Sequence, residues 1–500
     1  MPEGGLRYAS GRGRWVIAAT VLGSGLAMID STVVGIALPT IGRQFHTGVA
    51  DLQWVTNAYT LTLSGLLLLG GALGDRYGRR RLFVAGTVWF AVASLLCGVA
   101  PTAPALIAAR ALQGIGGAML TPGSLAILQA SFDEEDRSRA IGAWSGLGGV
   151  AMAIGPFLGG WLVGAGSWRL IFLINLPVAV AVVVLATRHV PETRDATVSG
   201  PLDLPGAALV SVGLAGLVYG LIEGPGLGWT SAGTLVSLAG GAALLAAFVA
   251  VEARTPNPML PLGIFGSLQF TGANAVTFVV YGGLGGALFL LPIELQQAAR
   301  YSPLGAGVAL LPITVITLAL SARSGALAAR IGPRLQMTVG PLLVGAGLAL
   351  LVRVGATGTY AGTVLPAVCV LGLGLAVVVA PLTAAVLAAA PGEHSGIASA
   401  VNNDVARTAS LIAVAVLPAV AGITGDSYLH PARFSSGFHT AVLVAAVCCA
   451  AGTVLAVLAI RNPERRPVRV VPGRWHCALD APPLCDPAPA TPEPLGASPR

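Results

Sequence analysis

Apolar runs of about twenty residues follow one another along nearly the whole chain, separated by short segments that collect the arginines, glycines and prolines. A helix of that length crosses roughly 30 Å of hydrocarbon. Within a bilayer each backbone amide must bond inside its own segment, so such runs are helices, and the ten-residue alternation of a membrane barrel is missing. A large water-soluble core is excluded by the composition, 55% hydrophobic and 10% charged with a mean hydropathy of +0.81 over 500 residues. The expected fold class is all-α, a polytopic membrane protein.

Breaks at Pro, Gly and charge clusters place fourteen spans, at 15–38, 52–73, 82–100, 105–130, 140–164, 169–187, 204–223, 231–251, 269–292, 303–323, 334–353, 360–383, 396–420 and 438–460. The first run is too long for the core of a signal peptide and carries Asp30, so it reads as a retained helix. With a cytoplasmic N-terminus, the inner segments hold Arg7, Arg12, Arg14, Arg76, Arg79, Arg80, Arg81, Arg137, Arg139, Arg188, Arg194, Arg254, Arg323, Arg330, Arg334 and the arginines from Arg461 onward. The outer loops hold only Arg43, Arg169, Arg300, Arg353 and Arg433. This asymmetry places both termini in the cytoplasm of a cell-membrane protein, and it accounts for the formal charge of +7 without nucleic acid. Lysine is absent, so every basic side chain apart from histidine is Arg. The six cysteines have neither metal-ligand spacing nor the look of a disulfide framework: Cys97, Cys369, Cys448 and Cys449 fall in apolar runs, and Cys477 and Cys485 in a Pro-rich tail.

An internal repeat divides the chain. GALGDRYGRR at 71–80 returns as GALAARIGPR at 325–334, each after the second span of a six-span set. The expected organisation is a cytoplasmic segment 1–14, a six-helix bundle 15–187, a linker and inserted helix pair 188–251, a second six-helix bundle 252–460 and a disordered cytoplasmic tail 461–500. Repeats of this kind suit a transporter that rocks two halves about a midplane site.

Asp30 is the sharpest chemical signal. It lies about sixteen residues into its span, roughly 24 Å by helical rise, too deep to snorkel. A carboxylate there either faces a polar cavity or carries a proton, because hydrocarbon disfavours its charged form, and both options suit a proton carrier or cation site. The bland alternative is a structural partner within the bundle, with Ser31 and Thr32 adjacent. Arg110 in the fourth span is a second intramembrane charge, able to favour the charged form of a nearby carboxylate or to be satisfied by carbonyls and Gln113. Gly71, Gly74, Asp75, Arg76, Gly78 and Arg79 make a tight connection in which Asp75 can meet an opposite charge or a helix N-terminus, while Arg80 and Arg81 read as leaflet anchors. Gly142, Gly155, Pro156, Gly159 and Gly160 predict a close, kinked helix interface in the fifth span. Asp404 and Arg407 are spaced for an ion pair, either a neutralised structural pair or a second titrating site, and Glu223 and Glu294 fall at predicted outer ends, where a solvated carboxylate is cheap and an interface or vestibule residue is expected rather than a coupling group. Asn57, Tyr59 and Asn175 are cavity contacts or hydrogen-bonded helix contacts.

Residues 71–81 resemble the loop signature between the second and third helices of the major facilitator superfamily. IDSTVVGIALP at 29–39, LIAARALQGIGGA at 106–118, GPFLGG at 155–160 and WRLIFLINLP at 168–177 are similar to signatures of its 14-helix drug/proton antiporters, the EmrB/QacA group. The chain departs from those patterns at Ala151, Ala329, Glu294 and Asp404. The resemblance implies two six-helix bundles plus an inserted pair, participation of Asp30 and Arg110 in proton coupling, gating by the 71–81 loop, and exchange rather than uptake through the glycine-rich fifth helix. No phosphate-gripping Gly-x-x-x-x-Gly-Lys loop, zinc-binding His-Glu-x-x-His or nucleophile elbow occurs, so ATP-driven transport and enzymatic function are not expected. The expectation is a monomeric exporter of small amphipathic, cationic drugs driven by the proton gradient, without metal or cofactor, whose partners are substrate, protons and the lipid bilayer. Its rivals are a dedicated exporter or importer of one metabolite and a non-transporting membrane sensor or scaffold.

Overall fold

The computed structural model describes residues 5–195, 202–255, 258–389 and 395–462, so most of the 461–500 tail, with Cys477 and Cys485, lies outside the described residues. Fourteen helices among the described residues are long and apolar enough to cross a membrane. They are α1 (Gly11–Phe45), α2 (Val49–Tyr77), α3 (Arg79–Val99), α4 (Ala103–Ser131), α5 (Glu134–Gly164), α6 (Leu170–His189) and α7 (Leu204–Leu227). The remainder are α8 (Ala232–Glu252), α9 (Leu268–Gln297), α10 (Pro303–Ile331), α11 (Arg334–Arg353), α12 (Tyr360–Ala389), α13 (Gly396–Val420) and α14 (Pro431–Ala459). No strand occurs among the described residues, only an isolated bridge between Leu6 and Phe132.

Local chemistry sets the ends. Side chains of Ser10, Thr102, Asp203, Ser231, Ser267 and Ser302 each accept from an otherwise orphaned amide at a helix start. Gly78 ends α2 at φ 117° and Gly332 ends α10 at φ 89°, a conformation that L side chains resist. These two glycines occupy the same place in the two copies of the sequence repeat. Two boundaries differ usefully from expectation: α1 runs past Pro39 to Phe45, and α9 runs past Pro292 to Gln297. Proline frees one carbonyl and bends a helix, but in a packed bundle neighbouring helices keep the helix going.

One group of helices packs α1 on α5 and α6, α2 on α4, and α3 on α4 and α6; a second packs α9 on α13 and α14, α11 on α12 and α14, and α10 on α12. The pair α7 and α8 pack on each other, and α7 also rests on α2 and α13. Large apolar side chains such as Val88, Val92 and Val99 on α3 and Val447, Val454 and Leu458 on α14 remain exposed, as lipid-facing residues should.

The two groups meet through α1 with α9, α2 with α13 and α5 with α10. Helices alternate in direction, so one face of the bundle carries the start of α1 and the opposite, far face carries its end. Joining contacts crowd the far face: Gln53 Nε2 donates to the Val414 and Ala415 carbonyls at 2.6 and 3.2 Å, and Gln296 Nε2 to the Ile36 carbonyl at 2.9 Å. There, too, the Val49 amide donates to the Gly425 carbonyl at 2.8 Å and the Tyr428 hydroxyl to the Thr47 carbonyl at 2.9 Å. Along α5 the contact with α10 fades in the other direction. A Cβ on Gly160 would meet Pro303 and Leu304, one on Gly149 the Leu318 side chain at 2.7 Å, and one on Gly146 or Gly142 nothing within 4 Å. The groups are therefore sealed at the far face and splayed toward the amino-terminal face.

Candidate functional site

Asp30 sits roughly 29 Å along α1 from Gly11 and is 1% exposed. Of the situations the sequence suggests, the geometry is that of an acid partnered within the bundle, though by neither Ser31 nor Thr32: one carboxylate oxygen pairs with Arg110 Nη1. The other accepts from Gln113 Nε2 at 2.8 Å and Asn175 Nδ2 at 3.3 Å. Arg110, equally buried, also donates to the Gln113 side-chain oxygen at 2.6 Å and through Nε to the Val55 carbonyl at 3.0 Å. Its guanidinium lies 4.4 Å from the Tyr59 ring centroid and 5.7 Å from that of Phe172. Ser94 Oγ accepts from both Gln113 and Asn175, at 2.9 and 3.3 Å, tying α3 into the cluster. Five helices, α1, α2, α3, α4 and α6, thus converge on one charge pair. The guanidinium and the two side-chain amides thus engage both carboxylate oxygens, and the contact to Arg110 is the charge-assisted one. Sequence reasoning missed Ser94 and Phe172; a hydroxyl inside the apolar run of α3 was the available signal for the first.

The connection between α2 and α3 is built as a clasp. Asp75 receives Nε and Nη2 of Arg79 at 2.8 and 2.7 Å, and Arg79 donates its amide to the Thr193 carbonyl at 2.9 Å. Arg80 and Arg81, read from sequence as leaflet anchors, approach Glu192 at 3.5 and 3.8 Å, and the Arg80 amide donates to Glu192 at 3.1 Å. Glu192, which sequence reasoning passed over, thereby binds the segment after α6 to the start of α3. Gly71 and Gly74 have only ordinary van der Waals neighbours, Pro122 and Leu82 among them. Arg76 carries its guanidinium 5.6 Å from the Tyr77 ring centroid.

In α5, Gly155 backs onto Thr32, Gly159 onto Val33 and Gly160 onto Pro303 and Leu304, while the Pro156 carbonyl abuts Gly307 of α10. Gly142 does not join this interface; nothing lies within 4 Å of its Cβ position, because the helices diverge at that level.

The remaining acids depart further from expectation. No ion pair joins Asp404 to Arg407 among the described residues, and one Asp404 oxygen is buried without a partner. Helical spacing permits such a pair, but both residues lie where α13 faces α2. Glu223 is half-buried and accepts from Trp54 Nε1 at 2.8 Å, fastening α7 to α2. Glu294 is not a solvated vestibule residue: it is 0% exposed, because α9 continues past Pro292 and carries it into the bundle. Asn57 donates to the Leu411 carbonyl at 3.2 Å, a contact between α2 and α13 rather than with a cavity. A cavity of about 620 Å³ at the far face is lined by residues of 42–48 and 425–429, well away from Asp30 in both chain and bundle.

A family model described as Major Facilitator Superfamily matches residues 20–415. The tetracenomycin C resistance and export protein of Streptomyces glaucescens is 35% identical over 416 residues, covering 83% of this chain and 77% of that protein. The multidrug resistance protein Stp of Mycobacterium tuberculosis (strain CDC 1551 / Oshkosh) is also 35% identical over 416 residues, with the same coverage. Among solved structures, a bacterial homolog of the human lysosomal transporter Spinster, inward-facing and unoccupied, is similar in fold at a TM-score of 0.63 and 17% identity, covering 90% of this chain and 97% of that one.

Proposed function

The chain belongs to the Major Facilitator Superfamily, a multi-pass transporter family, and from that premise we propose that it exports small amphipathic, cationic drugs or antibiotics across the cell membrane in exchange for protons. The observation that carries the proposal is Asp30, buried in mid-bundle and held by Arg110, Gln113 and Asn175. An acid so placed is a switch. Charged, it anchors α1 to α4 and α6; protonated, it loses its hold on Arg110 and loosens that anchor.

With the arginine-rich face in the cytoplasm, the sealed far face makes this the inward-open state. Here Asp30 is deprotonated and the splayed side admits substrate from the cytoplasm or inner leaflet. After the halves rock, a proton from outside reaches Asp30 as substrate leaves, and the return delivers that proton inward. The membrane potential adds about 2.3 kcal/mol per charge per 100 mV to such a cycle.

Asp30→Asn should insert and fold, yet abolish pH-gradient-driven uptake of a cationic dye into inverted vesicles; uptake at the original rate would remove Asp30 from the mechanism. A second reading, dedicated export of one antibiotic, is favoured by the relative named for tetracenomycin C alone, whereas the Stp relative is named for multidrug resistance. Protection of a susceptible host against many unrelated compounds supports the broad reading, and protection against a single compound the narrow one.

A further inference from the structure

Asp30 and Glu294 are both buried acids, one in each six-helix group, and their surroundings are opposite in kind. Glu294 lies in the last turn of α9 at the far face, within the apolar cluster that includes Leu290, Leu291, Phe434 and Phe438. One of its oxygens accepts from Ser435 Oγ of α14 at 2.6 Å. The other is buried with no hydrogen-bond partner. Ionisable groups at this end on the surrounding elements include Arg43 and His46 at the end of α1, Arg300 and Tyr301 between α9 and α10, Arg353 of α11, Tyr360 of α12, Asp426, Tyr428 and His430 of the α13–α14 connection, and Arg433 and His439 of α14. Among the described residues none of them forms an ion pair or hydrogen bond with Glu294, and His439 Nε2 is engaged by the Val354 carbonyl at 2.9 Å.

A negative charge in apolar surroundings with no cation beside it and one oxygen unpartnered is strongly disfavoured, whereas a neutral carboxyl bonded to a serine is tolerated. Two residues further on, Gln296 makes one of the bonds that close the far face, to the Ile36 carbonyl of α1. The turn that buries Glu294 is therefore the turn that seals the two groups together.

We propose that Glu294, with Ser435, is a second proton-binding site that must be filled from the far side before that face can close. The inference rests on the transporter reading above but not on Asp30. The step is a simple protonation: water at the open far face delivers a proton to the Glu294 carboxylate, closure buries the neutral acid, and reopening returns it to solvent. Its sign is opposite to that of Asp30 in the cycle proposed above, where the Asp30–Arg110 contact holds the same conformation only while the carboxylate is charged. Acid thus favours far-face closure through Glu294 and far-face opening through Asp30, and the two effects mask each other in the native chain.

The test removes the mask. Labels at His46→Cys and Asp426→Cys, both exposed across the far-face seam, report the open fraction of full-length protein in nanodiscs as pH is varied. In the Asp30→Asn background, the closed-to-open ratio should rise as pH falls, by up to tenfold per pH unit for one linked proton. Adding Glu294→Gln should leave the far face closed and flatten that response, while Ser435→Ala in place of it should keep the slope and move the midpoint. No pH response in the Asp30→Asn protein, or one that survives Glu294→Gln, overturns the proposal. Unaltered proton-driven uptake by Asp30→Asn would instead overturn the coupling role of Asp30 and leave this inference standing.

Discussion

Arg110 is gripped from four sides: the Asp30 carboxylate, the Gln113 oxygen, the Val55 carbonyl and the face of Tyr59. Only a planar, forked cation meets that set, because a lysine ammonium presents one point charge and cannot stack. Arg110→Lys should keep the positive charge and normal insertion yet lower proton-driven dye uptake at least tenfold, measured in inverted vesicles. Arg110→Ala strands a buried carboxylate and should cost about 3–5 kcal/mol of stability, read as a lowered unfolding midpoint in detergent. Asp30, Arg110, Gln113 and Asn175 were each visible in the sequence as polar groups within apolar runs. Their mutual geometry was not, since it depends on how α1, α4 and α6 are rotated about their axes. Glu294 misled for a related reason: burial was judged from distance to a helix end, and the end was placed at a proline that the helix passes through.

At the level of helices, small residues govern how close α5 and α10 come. The contact is backbone to backbone at Gly160 with Pro303 and at Gly307 with Pro156, so any side chain there must push the helices apart. Gly160→Val and Gly307→Val should each weaken the sealed state by about 1–3 kcal/mol through overpacking, raising the open-to-closed ratio of the far face roughly five- to 150-fold in the same label assay. Gly142→Val, at a position with open space, should leave that fraction unchanged. The spans themselves were legible because twenty apolar residues in a row admit little else. So was the repeat, and its glycines Gly78 and Gly332 both take a positive-φ, extended-ψ conformation at the ends of α2 and α10. Helix pairing across the two groups was not legible, because lipid-facing and partner-facing stripes are equally apolar in a membrane helix, and no polar face marks which side meets a neighbour.

For the molecule as a whole, the seam has a sealed end and an open end, and the two must exchange for transport to proceed. Side-chain amides of α2 bond backbone carbonyls of α13 at Gln53 and Asn57, so beside the α5–α10 packing the seal includes a few hydrogen bonds that water can replace once the face opens. Such a seal should be reversible, and fixing it should stop the cycle at one step. Cysteines introduced as Gln53→Cys and Val414→Cys, joined by a short cleavable cross-linker, should hold the far face shut and abolish dye uptake, with activity returning on cleavage. In the locked protein, a further cysteine at Gly146, on the stripe of α5 that has lost contact with α10, should react with a water-soluble thiol reagent faster than in the unlocked protein. The reason is linkage: a molecule barred from opening on one side spends all its time open on the other. Transport that continued through the locked seam would mean that substrate passes by a route other than the cleft between the two groups.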